Sequence, residues 1–406
     1  NWKNLTTIKG KISEGLLKAL DVKSDNEKEK EINPDAYKLY LKAYYLYSER
    51  NSSPMKSVKL CEEALRIDNN LIEAEKLLAR IYFNMSEYQK WQEICDKMSL
   101  KVDHNSRIYG IILMMKAQFY TGKRKFNQAL EHSRNAHDIF QEVGDRRGIA
   151  ATLGNQGWIY INQDQYDKGL NNFNKCLKIC KQLEDPVGMI LTFLDIGYVE
   201  TFRNWHIDKA WDNFNQAYKI AQDLDNNFGI AMCFMCMGNL LACEGNFKKG
   251  DDYLNQALTL FEKMEHKDNI SITKQSLAES FYMQGRYKEA LSYFDETCKM
   301  IKKIDYRMFK WGAVIGLAAS RKKLGMSDID YDSVKKEMEV TFEFREPQYL
   351  DYYFLYIIFE NKEDIKKAYD DIHNRILNAL DADGKAKFLN TIWCKRTIEE
   401  WEKINN

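Results

Sequence analysis

The chain has 406 residues, with 60 Lys and Arg against 60 Asp and Glu, and both signs are spread along its length. A neutral, mixed charge gives no electrostatic basis for holding nucleic acid or an anionic membrane, so neither is expected as a partner. Four prolines and 20 glycines among abundant Leu, Ala, Lys, Glu and Gln favour long helices over strands and turns.

Residues 1–32 open with Leu5, Ile8, Ile12, Leu16, Leu17 and Leu20 at helical spacing, followed by the charged run SDNEKEKE. They read as an N-terminal helix and linker, and a start at Asn1 rather than Met reads as a piece of something longer. Asn33 and Pro34 then begin a helix, a capping side chain before a proline whose missing N–H costs nothing in the first turn. Its tyrosines 37, 40, 44 and 45 form one face with Leu41. The segment Met55 to Ile67 is the second helix of this pair, with Ala64 at the close-contact position. Leu71 to Asn84 and Glu87 to Met98 form the next pair. There Trp91 falls where a small residue is expected; an indole does not fit between helices about 8–10 Å apart, so this pair must be splayed or repacked.

From Ile108 onward the pattern becomes periodic. A small residue opens every second helix, at Ala129, Gly169, Ala210, Gly250 and Ala290, and these lie 40 or 41 residues apart. Each first helix carries a small residue in its middle (Ala117, Gly157, Gly197, Gly238, Ala278). An aromatic is expected in the turn (Phe126, Tyr166, Phe247, Tyr287, with Ile207 as the exception). A large knob follows at Phe173, Phe214, Leu254 and Phe294, then a small or modest residue at Ala136, Cys176, Ala217, Ala257 and Thr297. Small residues make crossing points and aromatics fill the wedge beside them. Neighbouring pairs must stack, because no single pair can bury its apolar face. Asp145, Asp185 and Asn226 are placed to cap the following first helices.

These residues, best seen in GNQGWIYINQDQYDKGLNNFNKCLKI (154–179) and SLAESFYMQGRYKEALSYFDETCKMI (276–301), resemble the tetratricopeptide repeat. The resemblance covers about 33–304, some seven repeats, and implies an all-α TPR α-solenoid. Such a solenoid is a right-handed superhelix of antiparallel helix pairs with helical caps. One extra residue between Gly197 and Ala210 departs from the pattern. TTIKGKISEGLLKALDVK followed by INPDAYKLYLKAYYLY, with RILNALDADGKAKFLNTIWCKRTIEEW near the end, resembles the tetratricopeptide tail of bacterial signalling proteins such as class III adenylate or guanylate cyclases. That resemblance implies a sensory or docking tail. Residues 305–406 read as one degenerate pair (Trp311 to Leu324, Tyr331 to Phe342), an apolar helix (Tyr349 to Phe359) and a final pair (Glu363 to Leu380, Lys385 to Ile404).

Chemistry is hard to find in these residues. Cys233, Cys236 and Cys243 lack a second C-x-x-C or a histidine at ligand spacing, so they read as core rather than metal. Nine cysteines at irregular spacing suit reduced thiols in a cytoplasmic protein. The six histidines show no metalloprotease spacing, and no phosphate loop, dinucleotide fingerprint or kinase signature is present. The most apolar window, Phe228 to Cys243, falls short of the ~20 residues that span a bilayer. No catalytic residue, cofactor or metal is assigned. The expected function is non-catalytic binding of a peptide or protein in a concave groove lined by first helices. The candidate groove residues are Asn155, Trp158, Asn162, Asp195, Tyr198, Asn239, Gln275, Glu279 and Tyr282: Asn and Gln for a peptide backbone, Trp and Tyr for apolar side chains. The alternatives are an assembly scaffold or homodimer joined through the apolar Tyr349 to Phe359 segment, and, further off, a phosphatase or a peptide-pheromone receptor of the tetratricopeptide type.

Overall fold

The structure is a computed structural model that describes residues 33–48, 54–85, 87–163, 165–264, 266–304, 310–342 and 347–405. The helix and linker expected over 1–32 lie outside these residues. Contacts divide the chain into two units, Asn1–Glu184 and Asp185–Asn406. Every regular element among the described residues is helical.

The first unit holds four helix pairs: α1 (Pro34–Ser48) with α2 (Pro54–Ile67), α3 (Ile72–Asn84) with α4 (Tyr88–Ser99), α5 (Arg107–Gly122) with α6 (Phe126–Glu142), and α7 (Arg146–Asn162) with α8 (Tyr166–Gln182). Asn33 caps α1 as expected, its Oδ1 accepting from the N–H groups of Asp35 (3.0 Å) and Ala36 (3.3 Å). The tyrosine face divides: Tyr37 is buried with Ala36, Ala64, Leu71 and Ala74, whereas Tyr44 and Tyr45 are exposed. Trp91 is accommodated by repacking. Its ring is 1 % exposed, 5.5 Å from Phe83 on α3 and 4.9 Å from Phe119 on α5, so a cluster of aromatic rings takes over the role of a small-residue crossing.

The regular pairs follow the small-residue logic. A Cβ added to Gly157 on α7 would come within 2.6 Å of Phe173 on α8, so only glycine lets the knob seat there. The pair α5–α6 departs from this: Ser133 sits in the knob slot, fully buried, and the bulky Phe140 packs later on the helix, against Gly110 and Gly148. The aromatics expected in the turns are instead the first residues of the second helices, as Phe126 and Tyr166 are in this unit.

The second unit continues with α9 (Pro186–Val199) and α10 (Ile207–Asp223), α11 (Asn227–Cys243) and α12 (Phe247–Lys263), and α13 (Lys267–Met283) and α14 (Tyr287–Ile304). The caps read from sequence are present at three joins: Asp145, Asp185 and Asn226 accept from the N–H groups of Gly148 (3.0 Å), Gly188 (3.1 Å) and Gly229 (3.0 Å). Phe214 seats on Gly197 as Phe173 does on Gly157, at 2.4 Å from the hypothetical Cβ. The extra residue in this repeat is absorbed by a π-type turn, Glu200–Asn204, that extends α9. A π turn takes up one more residue than an α turn before its bond closes, and Trp205 after it adopts a left-handed backbone with φ 57°.

Beyond α14 come α15 (Lys310–Lys323), α16 (Tyr331–Phe342), α17 (Tyr349–Phe359) and α18 (Lys362–Asp371), which runs through a second π turn to Ala379, then α19 (Ala382–Leu389) and α20 (Ile392–Asn405). Of the final pair expected from sequence, α18 does pack on α20, with Tyr369 5.6 Å from Trp401, but further contacts join it. α17 packs on α18, and the last expected helix breaks at Asn390 and Thr391, where Thr391 Oγ1 accepts from the N–H of Cys394 at 3.4 Å. None of Tyr349–Phe359 is exposed. The apolar segment offered as a dimer surface is thus covered within its own chain.

These last helices turn back onto the C-terminal ends of the earlier first helices. His206 Nε2 lies 2.9 Å from Asp381, and Lys387 donates to Asp208 at 2.9 Å. The Phe388 ring sits 5.1 Å from Trp205, and Arg396 donates to the Met283 carbonyl. Gly384 comes so near the Asn204 carbonyl that a Cβ there would lie 2.5 Å from it.

Candidate peptide-binding face

The face not used for pairing on each first helix follows from the repeat. Trp158, Tyr198, Asn239 and Glu279 occupy one register, 40 or 41 residues apart, and one or two turns earlier in each helix the same stripe continues. Each unit presents its own part of this pattern.

In the first unit the stripe on α7 contributes three candidates. Asn155 is buried and donates through Nδ2 to the Met114 carbonyl on α5 at 3.3 Å, so it secures one first helix to the next. Trp158 is half-buried and meets Phe173 edge-on at 5.8 Å. Asn162 is exposed and donates to the Trp158 carbonyl at 2.8 Å.

In the second unit the stripe on α9 is open along most of its length. Val187 (49 %), Leu191 (46 %) and Tyr198 (37 %) are among the exposed large apolar residues, with Asp195 half-buried between them. Phe228, Met232, Cys236 and Asn239 on α11 continue the stripe as half-buried side chains, as do Asp268, Ile272, Ser276 and Glu279 on α13. Burial pushes the Asp268 carboxyl up to about 6. Glu279 accepts from Gln275 Nε2 at 2.9 Å, and burial holds its carboxyl above the usual range. Gln275 sits off the stripe, toward Gly312 of α15, and its buried Oε1 has no hydrogen-bond partner among the described residues.

Tyr282 corrects the expected set, because it is 0 % exposed and cannot touch a ligand in this state. Its ring lies 5.3 Å from Phe354 and 6.1 Å from Trp393, inside the seam made by the returning C-terminal helices. Val187, Leu191, Met232, Ile272 and Asp268 were missed by sequence reasoning. The register of Trp158 and Tyr198, carried back two turns to Leu191, Met232 and Ile272 and three turns to Val187 and Asp268, is the signal that locates them.

A second concavity of the same unit, about 480 Å³, lies between the second helices α10 and α12. Tyr218 and Tyr253 flank Phe234 there at 5.4 and 5.5 Å, with Asn215, Lys249, Asp252 and Gln256 at the rim.

The groups that chemistry would need are otherwise engaged. Burial pushes the Cys233 and Cys243 thiols up to about 12, where little thiolate forms at neutral pH. His137 Nδ1 reaches Thr152 Oγ1 at 2.9 Å, but that hydroxyl is fully buried and donates to the Ile149 carbonyl. Among the described residues no three His, Cys, Asp or Glu side chains are grouped to hold a metal ion, and no helix is long and apolar enough to cross a membrane.

Comparison with known proteins agrees with this architecture. Residues 110–182 and 229–303 match the family model described as tetratricopeptide repeat. A Rap protein complexed with competence and sporulation factor is similar in structure, with a TM-score of 0.55 at 14 % identity, covering 91 % of this chain and 99 % of that one. A Signal Transduction ATPase with Numerous Domains from Pyrococcus horikoshii, bearing a tetratricopeptide repeat sensor, aligns with a TM-score of 0.49 and 16 % identity, over 78 % of this chain and 51 % of that one. The apo form of RapI aligns at 0.46 and 19 % identity, over 72 % and 99 %. No curated protein matches the sequence. The chain therefore carries tetratricopeptide repeats, and its fold is a tetratricopeptide α-solenoid.

Proposed function

We propose that this chain is a non-catalytic peptide- or protein-binding module whose ligand lies on the first-helix face of the second unit. The observation that carries the reading is the α9 stripe: Val187, Leu191 and Tyr198 stand exposed on one side of a helix whose Ile190, Phe193, Leu194, Ile196 and Val199 are buried. An ordered row of exposed apolar side chains beside polar groups is the composition of a recognition surface. The Rap protein of similar fold forms a complex with a factor, which agrees with binding as the use of such a scaffold. In this reading the chain is the sensory tail of a bacterial signalling protein, a nucleotide cyclase; the support is the flank resemblance, and sequencing the reading frame ahead of Asn1 for a cyclase domain tests it.

The face is tested by screening the purified chain against an immobilised peptide library and measuring the best binder by fluorescence anisotropy. Leu191→Ser and Tyr198→Ala are expected to weaken it by roughly ten-fold or more each, the loss typical of a central apolar contact. Tyr253→Ala, in the cleft between α10 and α12, is expected to leave it unchanged. If only Tyr253→Ala weakens binding, the ligand lies on the second-helix side and the assignment is wrong.

A further inference from the structure

We propose that the ligand of this face is a peptide in which apolar side chains adjoin lysine or arginine. The proposal rests on the reading of the first-helix face as the ligand site and names the chemistry it selects.

The argument begins with what the face lacks. Neither α9 nor α11 contains a single lysine or arginine. On α13, Lys274 is drawn to the neighbouring second helix, where it donates to Glu296 at 2.6 Å, and Lys267 stands exposed at the first residue. A chain that is balanced overall thus carries no base on two of these three helices.

The charges that remain are acidic and set among apolar neighbours. Asp195 lies one turn from both Leu191 and Tyr198, and Asp268 one turn from Ile272. Glu279 marks the far end of the α13 stripe. Both Asp268 and Glu279 are half-buried, and burial is the main influence on each carboxyl, with no cation among the described residues shifting either. A partly desolvated carboxylate without a cation is costly, and a ligand ammonium or guanidinium placed there would offset that cost. An acidic peptide or a phosphate backbone would instead meet like charge in a surface of low polarity.

Apolar contact must supply the rest of the affinity. Leu191, Met232 and Ile272 share one register on α9, α11 and α13, first helices that pack in sequence, with the acids a turn or two before or after it. Toward the C-terminal ends of the same helices the chain's own α19 and α20 take the place, through Phe388 at Trp205 and Arg396 at the Met283 carbonyl. These are two separate internal contacts, an aromatic ring past the end of α9 and a guanidinium on the last carbonyl of α13.

The test uses the full chain and positional-scanning pools of acetylated ten-residue peptides, matched in Leu, Ile, Phe and Met and differing only in Lys and Arg, Asp and Glu, or Ser and Gln. Binding is read by anisotropy at low and high salt, and circular dichroism checks that each variant folds. The basic pools are expected to bind about ten-fold tighter than the acidic pools at low salt, with the preference shrinking as salt rises. Asp195→Asn and Asp268→Asn should each reduce that preference for basic over acidic pools several-fold. Equal binding of acidic and basic pools, lost with Leu191→Ser, overturns the charge selection and leaves the face standing. No binding by any pool, or binding indifferent to Leu191→Ser, overturns the face as well.

Discussion

The outward stripe of α9 and the π turn that extends the helix meet opposite fates. Toward its start, Val187 and Leu191 face outward. Beyond the exposed Tyr198, in the π turn and the residues after it, Thr201 and Trp205 are buried, and His206 is held between Glu200 (2.8 Å) and Asp381 (2.9 Å). The difference comes from one extra residue and from 57 residues of sequence, 349–405, that return to cover that end. An apolar first-helix face can thus be closed by the chain itself or left open for a partner, and here one helix does both.

Three substitutions probe that contrast. The largest effect is expected from Phe388→Ala, which removes a fully buried ring packed on Trp205 and Tyr349. It should cost about 3–5 kcal/mol in chemical denaturation and release the covered end, seen as faster hydrogen exchange over 382–405. Gly197→Val, between the two ends, should cost about 1–3 kcal/mol, because the added side chain meets Phe214 and the α9–α10 crossing must open.

The smallest effect concerns the open side and depends on pH. The Asp268 carboxyl is pushed up to about 6 by burial, from an ordinary 3.8, so between those values the folded chain holds a proton that the unfolded chain has lost. Its contribution to stability is present below about pH 4, is lost as pH rises through about 6, and then stays lost. Asp268→Asn should therefore stabilise the protein relative to the parent at pH 7 and do little at pH 4, as read by thermal unfolding across that range. An unchanged pH profile would show that Asp268 is solvated, which would weaken its place in the ligand argument.

The repeat was legible in the sequence because its crossing points demand small residues at a fixed interval, and Gly157 and Gly197 sit where only a hydrogen fits. The caps at Asp145, Asp185 and Asn226 were legible for a similar reason: a short acceptor before a glycine-bearing first turn has few other uses. The return of the C-terminal helices was not. His206 and Asp381 are 175 residues apart, and nothing in local periodicity announces a contact of that span. The same seam explains why Tyr282 was misplaced, since its helix position gives no sign that Trp393 will lie against it. Val187 and Leu191 were passed over because α9 is apolar nearly all round, and on such a helix spacing alone does not separate a core residue from a surface one.

The claim that the outward stripe of α9 is the ligand surface is tested most directly by photo-crosslinking. A basic, apolar peptide selected from the pools, carrying a photoreactive phenylalanine, would be crosslinked to the full chain and its attachment points mapped by mass spectrometry. Attachment at Val187–Tyr198 and at the facing residues of α11 and α13, with hydrogen exchange over 382–405 unchanged, is the predicted result. Attachment at Tyr218 or Tyr253, or release of the C-terminal helices on binding, would contradict it.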